Sequence, residues 1–196
     1  MSVPAAQAAR LPTLADVLTG SRTGVPNVAL VLGMSLLVAL CAQISIPVPG
    51  SPVPITGSTL GVLYAGALLG SRRGAAAVAL YFLEGGLGLP FFAGGAAGLA
   101  HFAGPTGGYL LGFLPAAWLA GWLAERGWDR TPGKALALML AGSVVILALG
   151  LAGLARFVPA SRLLPLGFYP FIPGDLAKAC LSAALLPAGW KLIRRP

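Results

Sequence analysis

The chain has 196 residues, 57% of them hydrophobic and only 9% charged, with a mean hydropathy of +0.87. A soluble domain carries about 25% charged residues, so this balance excludes an ordinary globular protein and leaves an integral membrane protein with room for roughly six spans of about 20 residues. The net charge of +8 does not argue for nucleic acid here, because Lys and Arg in membrane proteins gather in cytoplasmic loops and fix topology.

No segment alternates polar and apolar residues as a membrane barrel strand would, so the fold class is all-α. Residues 1–25 contain Arg10, Asp16 and Arg22 and read as a cytoplasmic tail with one short helical turn around Leu14–Leu18. The membrane domain occupies residues 26–193, and residues 194–196 form a second cytoplasmic tail. The first span covers Asn27–Ile46 and carries Ser35-x-x-x-Ala39, a spacing of small residues that admits a second helix at close range or serves packing within the bundle. Four prolines between Pro47 and Pro54 forbid helix and dictate an extended loop. The second span begins at Ile55 and ends near Gly70, Ser71–Gly74 makes a tight basic turn, and the third span, Ala75–Leu89, has Glu84 near its far end.

From Glu84 to Tyr109 the sequence is glycine with aromatic punctuation, too apolar for an aqueous loop and too rich in Gly and Pro for a straight span. Irregular backbone at membrane depth survives only where protein buries it or it lines a cavity. This stretch is therefore a re-entrant or capping segment over a pocket, between helices 3 and 4. A fourth span follows over Tyr109–Ala124, then a charged loop with Glu125, Arg126, Asp129, Arg130 and Lys134, a fifth span over Ala135–Leu154 and a sixth over Pro173–Ile193.

Orientation follows from the basic residues. Arg10, Arg22, Arg72, Arg73, Arg126, Arg130, Lys134, Lys191, Arg194 and Arg195 fall on one side of such a bundle, and Arg156 and Arg162 on the other. Both termini are then cytoplasmic, and the Pro-rich loop, the Gly-rich segment and the start of the sixth span face outward.

That last start is the stretch Phe171-Ile-Pro-Gly-Asp-Leu-Ala-Lys178. Proline fits the first helical turn and Asp175 accepts from its free amides, while Lys178 falls three residues further along the same face. The pair either neutralises itself at a helix end or binds an amphipathic small molecule, Lys178 donating to a carboxylate and Asp175 accepting from N–H groups. Glu84 faces water or serves as a second acceptor. Phe92, Phe102 and Tyr109 offer apolar walls, His101 a polar group at the rim, and Gly107 and Gly108 backbone amides for an anion at a helix start. The single histidine and the isolated Cys41 and Cys180 support neither a metal site nor a disulfide framework.

Four motifs, Ile55-Thr-Gly-Ser-Thr-Leu-Gly-Val-Leu63, Gly88-Leu-Pro-Phe-Phe-Ala-Gly-Gly95, Gly104-Pro-Thr-Gly-Gly-Tyr-Leu-Leu-Gly-Phe113 and Pro173-Gly-Asp-Leu-Ala-Lys178, occur in this order. Together they resemble the BioY family, the biotin-binding S components of energy-coupling factor vitamin transporters. The resemblance implies six helices in the bacterial cytoplasmic membrane and a biotin site open to the outer face. It carries the binding role onto Asp175 and Lys178 of the last helix, with Thr56 and Ser58 from the first motif. It also implies docking on a transmembrane T component and two cytoplasmic ATPases. The sequence has no G-x-x-x-x-G-K-[ST] loop, so ATP energy has to come from those partners, with no cofactor bound by the chain itself. A self-sufficient carrier for a carboxylate-containing vitamin is the alternative, although no inverted repeat is visible. A membrane enzyme is disfavoured because no nucleophile stands beside His101.

Overall fold

The computed structural model describes residues 10–20 and 25–193. Arg22, Arg194, Arg195 and most of the expected amino-terminal tail lie outside them. Eight α-helices are present among the described residues: α1 (Leu14–Thr19), α2 (Val25–Gln43), α3 (Ser58–Leu69), α4 (Ser71–Gly86), α5 (Gly107–Ala124), α6 (Pro132–Leu154), α7 (Ala160–Gly167) and α8 (Ile172–Ile193). Helices α2 to α6 and α8 form the bundle; α1 and α7 are short pieces laid over its two ends. Three stretches, Gly107–Ala124, Pro132–Leu154 and Ala160–Ile193, are long and apolar enough to cross a membrane.

Helix α3 has 12 residues, about 18 Å at 1.5 Å per residue, because the chain before it is not helical. Residues 45–46 pair antiparallel with residues 55–56, Ser45 opposite Thr56 and Ile46 opposite Ile55. The expected first and second spans are therefore each shortened where they face the Pro-rich loop. The cause is a backbone ladder between segments ten residues apart, which hydropathy along the chain does not register. The proline loop is pinned in turn: Ser51 Oγ donates to Leu166 O of α7 at 2.8 Å, and Val53 is buried.

A second correction concerns Ser71–Gly74, which is the first turn of α4 rather than a loop. Gly70 alone reverses the chain at φ +87°. The helix can start at once because Glu125, at the end of α5, accepts from both the Ser71 N–H at 2.9 Å and the Ser71 hydroxyl at 2.8 Å. A carboxylate supplied from another helix thus caps the amino end of α4 and suits its dipole.

Helix α5 is central and packs against α3, α4 and α6; α2 covers α3 and α4, and α8 covers α6. The crossings are tight because glycines meet backbone. A Cβ on Gly66 would strike Ala117 O, and one on Gly121 would strike the Gly70–Ser71 backbone. Ser35 and Ala39 of α2 are both buried within the bundle. Their small-residue spacing therefore serves internal packing, while Leu32, Leu36 and Leu40 face outward.

The basic end is bound together by side chains. Arg73 reaches Asp16 at 2.7 Å, Thr13 Oγ1 at 3.0 Å and Asn27 Oδ1 at 2.8 Å, fixing α1 against α4 and α2. Leu11 N–H donates to Glu125 O at 2.9 Å, and Arg130 donates to Pro12 O while its guanidinium stacks over Trp190. Trp190 Nε1 donates to Asp129 at 2.6 Å. The connection between α5 and α6 therefore differs from a solvated charged loop: Asp129 is wholly buried. Burial pushes its carboxyl above the usual range, against the lowering effect of the Trp190 hydrogen bond and of Arg130.

Candidate ligand-binding site

The opposite end of the bundle holds a cavity lined by residues of α3, α4, α5, α6 and α8 together with the two long connections, a concave, mostly apolar chamber of the kind that takes small molecules. Its wall is mostly apolar: Phe113, Leu110, Ile146, Leu147 and Phe171 come from or border α5, α6 and α8. Val53 and Pro54 of the proline loop close one side, and residues 92–106 cover another. That cover runs as two 3-10 turns, Ala93–Gly95 and Leu99–Ala103, with Gly88, Gly94, Gly95 and Gly98 at positive φ, a path that side chains at those positions would oppose. It is tied down by Gly98 N–H to Gly85 O at 2.8 Å and by the Gln43 amide, which lies 3.3–3.4 Å from the carbonyls of Pro90, Phe91 and Phe92.

At the α8 pole Asp175 and Lys178 both line the cavity, 3.4 Å apart. Their side chains are 12% and 20% exposed. Lys178 also donates to Thr59 Oγ1 at 2.7 Å and to Thr56 O at 2.9 Å, so each of its three N–H donors has an acceptor. That arrangement is what an ammonium removed from water requires. The hydroxyls of Thr56 and Ser58 lie 2.6 Å apart at the start of α3, also on the cavity wall. This pole can accept N–H groups at Asp175 and donate to a carbonyl from the hydroxyl of the Thr56–Ser58 pair that is not spent on the other.

Phe92 is fully buried, edge-on to Tyr81 at 5.5 Å and to Phe102 at 5.5 Å, and stacked on His101 at 5.4 Å. It lines the cavity with Tyr81 and His101, whereas Phe102 supports it from behind. Burial lowers the His101 pKa from its ordinary value, so the imidazole is neutral near pH 7. Tyr109 contributes its ring to the wall, but its hydroxyl is committed to Gly167 O at 2.7 Å.

Six of the nine residues read from the sequence as ligand contacts therefore line one cavity: Thr56, Ser58, Phe92, Tyr109, Asp175 and Lys178. The other three do not. Glu84 turns toward α2, where Ser35 Oγ lies 3.5 Å from its Oε1. Gly107 N–H is used by Gly104 O, and Gly108 packs on the backbone of Leu149, Gly150 and Gly153 of α6. These glycines make close backbone contacts and do not line the cavity. Thr59, which lines the cavity and accepts from Lys178, was missed by sequence reading, although its hydroxyl in the apolar start of α3 was a usable signal.

A family profile described as the BioY family matches residues 12–195. The biotin transporter BioY of Rhodobacter capsulatus is 42% identical over 172 residues, covering 80% of this chain and 88% of that protein. That of Rhizobium etli is 40% identical over 163 residues, 77% and 85% of the two chains. The Thermotoga maritima biotin transporter BioY is 39% identical over 150 residues, 76% and 86%. All three are named as transporters, not enzymes. The crystal structure of the S-component for biotin from an ECF-type ABC transporter superposes with a TM-score of 0.74 at 27% identity, covering 84% of this chain and 90% of that one. The motifs, the helical bundle and the two-sided cavity thus converge with sequence identity along most of the chain, which belongs to the BioY family.

Proposed function

We propose that this chain captures biotin with high affinity and serves its uptake as the substrate-binding S component of an energy-coupling factor transporter. The observation that carries the reading is the cavity itself. An Asp175–Lys178 pair set in an otherwise apolar chamber suits a ligand with a polar ring bearing N–H donors and a carbonyl, joined to an aliphatic chain. Family membership and the relatives' names support biotin as that ligand. Each of the six bundle helices crosses the cytoplasmic membrane, with both termini inside. The clustering of Arg10, Arg72, Arg73, Arg126, Arg130, Lys134 and Lys191 at the end opposite the cavity supports this orientation.

Energy comes from outside the chain, through a transmembrane T component and two cytoplasmic ATPases, and the chain uses no cofactor of its own. The test is retention of labelled biotin by the purified protein without ATP, followed by uptake in cells with and without the T component and ATPases. Binding without ATP and uptake dependent on the partners is the expected result. No biotin binding would defeat the ligand assignment, and robust uptake without partners would favour a self-sufficient carrier.

A further inference from the structure

The cavity has polar groups at two separate poles. Helix α8 packs on α6, α1 and the turn at Trp128–Arg130, whereas the glycine-rich cover packs on α2, α4 and α5. The acidic and basic groups of α8 therefore lie on one wall and the cover with Tyr81 on another. At the first pole Lys178 is already saturated by Thr56, Thr59 and Asp175. A carboxylate arriving there would have to displace these acceptors and sit beside Asp175, against like charge.

The second pole is differently equipped. His101 is the one cavity-lining side chain besides Lys178, among the described residues, with an N–H to give. Its Nε2 lies 3.4 Å from Thr106 Oγ1, its plane is within 13° of the Phe92 ring, and its Nδ1 has no hydrogen-bond partner among the described residues. Tyr81 is 1% exposed, lines the same cavity, and its hydroxyl likewise has no partner among them. With the Thr106 hydroxyl donating to Nε2, the single N–H of the neutral imidazole sits on Nδ1. It and the Tyr81 hydroxyl are two donors without acceptors, on an apolar wall and away from any carboxylate of the site, and form a place for a ligand oxygen anion.

Resting on biotin as the ligand, we propose that Tyr81 and His101 bind its carboxylate, with the aliphatic chain along Phe92 and Phe113 and the ureido ring at Asp175 and Lys178. Thr106 is a positioning residue that holds the imidazole. The donors are neutral near pH 7, since burial lowers the His101 pKa. Acid recognition therefore comes from hydrogen bonds, not from an ion pair.

The test is calorimetric binding of biotin and of its carboxamide to the full-length detergent-purified protein and to two variants. His101→Phe keeps the stack on Phe92 and removes the donor; Tyr81→Phe removes a single hydroxyl and is the safer variant for folding. Each is expected to weaken biotin about tenfold and the carboxamide less than about threefold, so that acid-over-amide preference shrinks. An unchanged preference in both variants overturns the inference while leaving biotin binding intact. Loss of the preference in Lys178→Met but not in His101→Phe overturns it too, since the ligand would then lie reversed. Failure of the parent to bind biotin would overturn the functional reading and this assignment with it.

Discussion

Lys178 Nζ lies 2.7 Å from Thr59 Oγ1, closer than the 3.4 Å that separates it from Asp175 one turn away on its own helix. The ammonium is thus anchored across the bundle, on α3, and Asp175 is left with acceptor capacity for a ligand. Among the described residues this lysine makes the hydrogen bond that joins α8 to α3 and a second to Thr56 O just before α3.

Thr59→Val should therefore weaken biotin binding although Thr59 was not read as a ligand contact. A hydrogen bond to a charged group contributes about 1.5–3 kcal/mol, which corresponds to roughly tenfold or more in affinity. Isothermal titration measures it, and binding within twofold of the parent would show that the anchor is dispensable.

The ion pair itself makes a prediction of sign. Lys178→Met leaves Asp175 buried without its cation and should lower the melting temperature in detergent. The double variant Asp175→Asn with Lys178→Met should recover most of the loss, because no uncompensated charge remains. A double variant less stable than the single one would mean that the pair stabilises the fold on balance.

Gly121→Ala tests the close crossing of α5 with the α3–α4 turn. The added methyl meets the backbone of Gly70 and Ser71, which cannot swing aside as a side chain can. A loss of about 1–3 kcal/mol is expected, read as a fall in melting temperature. Gly133→Ala, where a Cβ meets nothing within 4 Å, is the matched control.

Asp129 predicts a pH dependence. Its folded carboxyl is raised by burial, so the folded protein holds the proton more tightly than the unfolded chain does. Stability is then greatest at pH values where the group is protonated and falls as pH rises through the folded-state pKa. Asp129→Asn keeps an acceptor for Trp190 and removes the ionisation. Thermal melts from about pH 4 to about pH 7 should show the variant gaining on the parent as pH rises. A constant difference would exclude Asp129 as the titrating group.

Much of this arrangement was legible in the chain because it is written locally. The helix start at Asp175, the aromatic glycine-rich cover and the separation of basic residues to one end each follow from a short stretch of residue types. What escaped was non-local. The ladder between Ser45 and Thr56, the capping of Ser71 by Glu125 and the burial of Asp129 under Trp190 each depend on a partner that only the fold supplies. Gly107 and Gly108 illustrate the same limit: a glycine at a helix start offers either an amide or a smooth surface, and the neighbouring α6 decides which.

The ties among Thr13, Asp16, Arg73, Glu125, Asp129 and Trp190 gather at one end of the bundle, where α1 lies across it. The cavity end is fastened by a different set: Ser51 to Leu166, Tyr109 to Gly167, Gly98 to Gly85 and Lys178 to Thr59. Carboxylates and guanidinium groups knit the base, whereas hydroxyls and backbone carbonyls hold most of the rim. Salt therefore screens the fastening of the base more than that of the chamber.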